Sequence, residues 1–184
     1  MTTSRNWLLA FALVAVAQTG VLAAMVVDRT LLLRNGREII LPIVPVDPRD
    51  LFRGEYVRLG YEISTVPKIL LVGPEPARNA PFYVTLEKNS AGGWTPVKVS
   101  AAQPREDNPD RIVLKARTPY SFRTATTVHY GIESYFVPEG QGRRLEALAR
   151  DKRMAARIAV DTSGNAAIKG LIIDGVQQYE EPLF

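Results

Sequence analysis

Between Trp7 and Val27 the chain reads WLLAFALVAVAQTGVLAAMVV, an apolar run with no charged side chain in which only Gln18 and Thr19 are clearly polar. At about 1.5 Å of rise per residue such a run covers about 30 Å as a helix, the thickness of a bilayer's hydrocarbon core. The pattern predicts a short tail over residues 1–6 and a transmembrane anchor over 7–27, with Trp7 at headgroup depth. A cleaved signal peptide is the competing reading, with Ala15-Val16-Ala17 or Val21-Leu22-Ala23 as the small-residue cleavage site. Against it, the apolar run continues past both sites. After the span, Asn35-Gly36 admits two readings: the stop of a helix continued through Asp28–Arg34, or the turn of a hairpin between LLLR and REIIL. Leu31-Leu32-Leu33 does not alternate, which favours a juxtamembrane helix or linker over residues 28–36.

From Arg37 onward the period changes from helical to twofold. Glu38–Pro45 reads as a strand, and the proline-punctuated stretch 45–54 as a long turn. Tyr56, Arg58, Gly60 and Glu62 then alternate with Val57, Leu59, Tyr61 and Ile63, which gives one strongly apolar face. Residues 66–81 hold four prolines and read as a loop that could cover a sheet edge. Phe82–Glu87 and Trp94–Val99 flank a Gly-rich hairpin turn, and Arg111–Arg117 and Thr127–Val137 read as further strands. Gly142–Lys152 carries helix formers, with Leu145, Leu148 and Ala149 on one face. Met154–Val160 and Ala166–Ile173 close the pattern as two strands around the turn residues 161–165. The expected architecture is therefore mainly β. An N-terminal transmembrane helix precedes an antiparallel β-sandwich or partly closed β-barrel with one short helix, over residues 37–184.

Charge adds the question of sidedness. Arg5 precedes the apolar run while Arg29, Arg34 and Arg37 follow it, a distribution that by itself would keep the C-terminal side in the cytoplasm. Long domains cross largely regardless of charge, however, and a short basic tail before an apolar run has the form of a signal anchor. The domain is thus expected outside the cytoplasm, tethered by the anchor with the lipid bilayer as its first partner. Net charge is +4, and since Arg5 is the only charge in residues 1–27 the remainder carries +3. That excess is too small and too dispersed to argue for nucleic acid.

Chemistry is sparse. The chain has no cysteine, which removes disulfides, thiolate metal sites and Cys nucleophiles. His129 is the only histidine, so no His-pair zinc site can form, and it reads as a hydrogen-bonded strand residue. There is no GxSxG elbow, no P-loop and no dinucleotide fingerprint. The turn 161–165 lacks the terminal glutamate of an EF-hand loop. No catalytic residue, metal ligand or cofactor is assigned. Ser64 and Lys68 are the nearest pair for a tethered Ser–Lys hydrolase acting on an envelope substrate, and a small-ligand-binding β-barrel is a further alternative.

Gly54-Glu55-Tyr56-Val57-Arg58-Leu59-Gly60-Tyr61 resembles the signature of the GDYXXLXY family, matching at Gly54, Tyr56, Leu59 and Tyr61, with Glu55 where the signature has aspartate. The approach through Asp47, Arg49, Asp50 and Arg53 is similar to the family's, and Tyr130–Gly140, with Glu133, Tyr135 and Glu139, resembles a second block. The resemblance implies a bacterial membrane-anchored protein with no established reaction, a companion of a polytopic membrane protein. Two readings of these residues stand side by side. The charged turn and its strand can be self-satisfied structure, or they can form a partner-docking surface, since tyrosine is enriched at interfaces.

Overall fold

The structure, a computed structural model, describes residues 2–45, 56–136 and 142–180. Helix α1 runs from Thr2 to Asn35. Its apolar portion lies within Ala10–Asn35, where mean hydropathy reaches 2.2 and none of the most apolar window is buried. The helix therefore continues through Asp28–Arg34, and the hairpin reading of that stretch does not hold. It ends where the Gly36 amide donates to Leu32 O at 2.9 Å, with the Leu33 side chain already buried. Strand β1, Arg37–Val44, follows with only Gly36 between. A Cβ on Gly36 would stand 2.5 Å from Leu32 O and 3.0 Å from Ala159 Cβ, so only glycine lets the helix end pass this close to the sheet.

The remaining elements are short. Strand β2 is Tyr56–Arg58, β3 is Gly60–Tyr61, and a 3₁₀ turn at Glu62–Ser64 leads into β4, Thr65–Pro67. A second 3₁₀ turn, Lys68–Leu70, precedes β5, Leu71–Val72. Then come β6, Phe82–Lys88; β7, Trp94–Ser100; β8, Arg111–Ala116; β9, Ala125–Thr127; and β10, Ser134–Phe136. Helix α2, Gly142–Arg150, buries Leu145 and Ala149 as its spacing predicts, and β11, Met154–Val160, β12, Ala166–Ile173, and β13, Val176–Glu180, follow.

One sheet has the order β13-β12-β11-β1-β3 and a second the order β5-β7-β6-β8, while β10-β2 and β4-β9 form two-stranded pairs. The apolar faces meet in one core, in which Leu41 and Ile43 of β1 and Ile158 of β11 join Val84 and Leu86 of β6 and Leu114 of β8. The fold is mainly β and antiparallel, as expected, and no closed barrel forms among the described residues. The sheets also touch at the anchor end. Arg37 donates to the carbonyls of Arg111 (2.6 Å) and Pro109 and lies over the Trp94 ring. Gly164, at φ +83°, brings its carbonyl to the Lys115 amide at 2.7 Å.

Three expectations are corrected. The 66–81 stretch is not all loop: β5 pairs in parallel with the β7 edge, which it covers. Thr127–Val137 is not one strand, because Gly131 takes φ +82° and the chain turns between β9 and β10. Three strands rather than two close the chain. Asp174 (φ +52°) and Gly175 (φ +81°) form the tight turn into β13, the positive-φ pair a two-residue hairpin needs. The 45–54 turn lies, beyond Pro45, outside the described residues.

Candidate functional site

The two sequence blocks lie against each other. Antiparallel pairing sets Tyr56 opposite Phe136, Val57 opposite Tyr135 and Arg58 opposite Ser134. The Leu59 amide continues the ladder to Glu133 O at 2.9 Å. After an irregular stretch the Val128 amide reaches Ser64 O at 2.9 Å, β4 pairs with β9 through Thr65 opposite Thr127, and the Lys68 amide meets Thr124 O at 3.2 Å. The register is the same at both ends: twelve residues after Tyr56, Lys68 faces a residue twelve before Phe136. Residues 56–68 and 124–136 thus form one interrupted antiparallel zipper.

Side chains bridge the interruption. The Tyr61 hydroxyl donates to Ile132 O at 2.8 Å, and the Tyr130 hydroxyl donates to Ile63 O at 2.7 Å. Each tyrosine thus supplies, from inside the core, a link that a regular ladder would have made with backbone. Both phenols are held well above their ordinary pKa, first by burial and then by the nearby Glu133 charge. Glu133 itself folds back, its carboxylate accepting the Tyr130 amide at 2.6 Å and the Gly131 amide at 3.0 Å, which fixes the turn. Val57, Leu59, Tyr61 and Ile63 are all buried, as the alternation predicts, and Tyr135 is buried opposite them.

Of the candidate residues, the structure therefore brings Leu59, Tyr61, Glu133 and Tyr135 together, with the backbone of Tyr56. Asp47, Arg49, Asp50, Arg53, Gly54, Glu55 and Glu139 lie outside the described residues, as does the Tyr56 side chain. Because Tyr56 and Phe136 are register partners, the chain enters β2 and leaves β10 at the same end of the pair. That end is far along the fold from the helix. β1 leaves Gly36 at Arg37, and only its last residues, Ile43 and Val44, pair with Tyr61 and Gly60. A strand of this length spans about 26 Å.

Ser64 and Lys68 do not form a catalytic pair. Ser64 Oγ is buried and makes no hydrogen bond, while the Lys68 ammonium donates to Glu75 Oε2 at 3.3 Å and Phe122 O at 3.1 Å. A Ser–Lys mechanism needs the amine to take the hydroxyl proton, and here the two groups are not joined. His129 pairs through its backbone with Arg117 and stands exposed on the surface. No cluster of three or more metal-ligating side chains occurs among the described residues. The pairing of the two blocks was not read from the sequence, although Tyr61 and Tyr130 could have been weighed as apolar-face residues whose hydroxyls each require a partner.

Among known protein families, residues 18–171 match the GDYXXLXY protein family. No curated protein and no solved structure matches the chain.

Proposed function

The chain belongs to the GDYXXLXY family, and from that premise we propose that it is a membrane-anchored accessory domain. In this reading the β domain stands on the extracytoplasmic side of the bacterial inner membrane. It binds a polytopic membrane protein at the end of the fold where the chain enters β2 and leaves β10. The observation that carries the reading is the joining of the two blocks by one zipper, with Phe136, 81% exposed, in its last described pair. An exposed aromatic ring at the end of a rigid ladder is the kind of anchor that interfaces use. The 45–55 approach to the signature is attached at that same end.

Retention of the helix is supported by its continuity. α1 passes unbroken through both small-residue cleavage candidates, and its last turn packs into the domain through Leu33 and Gly36. A tether raises the local concentration of the domain beside membrane partners, so a modest interface suffices. Because β1 spans about 26 Å between the helix junction and its pairing with Gly60 and Tyr61, a partner meeting the zipper end beyond them carries an extramembrane loop or domain.

The test uses the absence of native cysteine. Single cysteines at Arg53 and Arg58 are placed in the full chain in native membranes and crosslinked, with Arg105, on the loop beside the anchor, as comparison. One defined adduct from the first two sites and none from Arg105 is the expected result. No adduct at either site, or release of the mature chain from membranes by carbonate, overturns the proposal.

A further inference from the structure

We propose that the groove between Arg78 and the 119–127 segment is an oxyanion site, taking a phosphoryl group. The groove has a volume of about 460 Å³ and is lined by Arg78, Tyr120, Ser121, Arg123, Thr126 and Thr127, with Pro119 and Ala125 completing it. Two arginines, three hydroxyl-bearing aliphatic residues and a tyrosine line this concave surface, and no acidic residue does. Arg78 and Arg123 have no carboxylate within ion-pair distance among the described residues. Lys68, Arg111, Arg153, Arg157 and Lys169, by contrast, each have at least one. Glu75, three residues before Arg78, is already engaged: its two oxygens accept the Phe122 amide, between Ser121 and Arg123, at 2.8 Å and the Lys68 ammonium at 3.3 Å.

The walls are built before any ligand arrives. Thr118 Oγ1 donates to Thr127 O at 2.8 Å and accepts the Tyr120 amide at 3.2 Å, and Thr126 Oγ1 accepts the Arg123 amide at 3.0 Å. Thr126 is buried. The Arg78 side is pinned to the opposite wall where Asn79, at φ +60°, gives its amide to Thr118 O at 2.8 Å. Arg78 is held only by a long 3.4 Å contact from Nε to Ser121 Oγ, which leaves its terminal nitrogens for a ligand. A guanidinium suits an oxyanion because it offers two parallel N–H donors to two oxygens. The exposed Tyr120 ring beside them gives a flat apolar face for the body of the ligand. A preorganised site loses little ordering entropy on binding.

The phosphoryl group could come from a soluble molecule or from a lipid headgroup, and the experiment separates the two. The site does not depend on how α1 is used, so its failure and that of the accessory-domain reading are distinguishable. Full-length protein in neutral detergent is titrated calorimetrically with inorganic phosphate against chloride at matched ionic strength. Saturable binding in the millimolar range is expected, weakened about tenfold by R78A and by R123A, less by R78K and R123K, and unchanged by R105A. In a second arm the protein is placed in nanodiscs, and maleimide labelling of A125C, in the groove lining but without a donor of its own, is followed. Protection by added phosphate in neutral-lipid discs assigns a soluble ligand. Protection by phosphatidylglycerol discs without phosphate assigns a headgroup. Absence of phosphate binding together with absence of protection by either source, or equal weakening by R105A, overturns the proposal.

Discussion

The β11–β12 hairpin and the 56–68/124–136 zipper are both antiparallel and both buried, yet they hold together by different means. β11 and β12 pair from Met154 opposite Ile173 to Val160 opposite Ala166, with one irregularity at Arg157/Ile158. Their cohesion is backbone ladder plus apolar side chains, and no side-chain hydroxyl is needed. The zipper has ladder only at its two ends. Its middle is held by two phenol hydroxyls and one carboxylate that bond to backbone. A long regular strand distributes its stability over many equivalent bonds, whereas the zipper concentrates it in three side chains. The zipper is also the part of the fold that carries the family signature.

The largest effects should show whether these are separate cooperative units. Leu171 is fully buried in β12 and Leu59 is 2% exposed in the zipper, so truncation of either to alanine is expected to cost about 3 kcal/mol through lost burial and cavity formation. The distribution should differ. In native-state hydrogen exchange, L171A should lower protection across the five-stranded sheet. L59A should lower it chiefly in residues 56–68 and 124–136 while β11 and β12 stay protected. If L59A instead opened β11 and β12 equally, the zipper would be an integral part of the main core and the contrast would fall.

Next in size is an alkaline effect confined to the zipper. Tyr61 and Tyr130 have their pKa raised in the folded state by burial and by Glu133, so the folded protein keeps protons that the unfolded chain releases. The stability this contributes is complete below the ordinary tyrosine pKa of about 10 and is lost as pH rises beyond it. Each phenol should steepen the loss by about 1.4 kcal/mol per pH unit above that point. Urea unfolding between pH 9 and 11.5 should show the steep fall in the native chain and a shallower one in Y61F/Y130F. That variant starts lower at neutral pH, because Ile132 O and Ile63 O lose their donors. Equal slopes would mean that the phenols ionise without unfolding the zipper.

This contrast also explains what the sequence disclosed. Met154–Val160 and Ala166–Ile173 were legible to the residue because runs of apolar residues ended at a turn rich in Asp, Ser, Gly and Asn. The inward set Val57, Leu59, Tyr61, Ile63 was legible because alternation depends only on neighbours in the chain. The break at 130–133 was not, since it rests on a carboxylate three residues away capping two amides, which no periodicity records. The parallel β5–β7 pairing and the joining of the two blocks are contacts between residues far apart in sequence. The Asp174-Gly175 turn is a readable signal, but the hairpin that β12 completes already accounts for the end of the chain without it. At the candidate site the signature's tyrosine and leucine were found, but their work is internal. The charged residues around them, from Asp47 to Arg53, lie beyond what the described residues address.

The smallest predicted effect is the sharpest comparison, because it sets two carboxylates against each other. Glu133 is partly buried and accepts two amides of the turn it belongs to. Asp174 is exposed and pairs with Arg153, whose guanidinium holds its carboxyl below the usual aspartate range. A charge-assisted bond to backbone in a partly buried turn keeps its value, whereas an exposed ion pair loses most of its attraction to solvent screening. E133Q should therefore lower stability by about 1–2 kcal/mol and raise exchange at Tyr130 and Gly131. R153A should leave the midpoint of unfolding within error, although the two-point fork of Arg153 on Asp174 looks the stronger interaction on distance alone. The measurement is one pair of denaturant curves at pH 7 and the same pair in high salt. Salt should leave the E133Q deficit in place and erase whatever R153A shows. A larger cost for R153A than for E133Q would mean that the β12–β13 turn, and not the Glu133 turn, is where side-chain chemistry stabilises this fold.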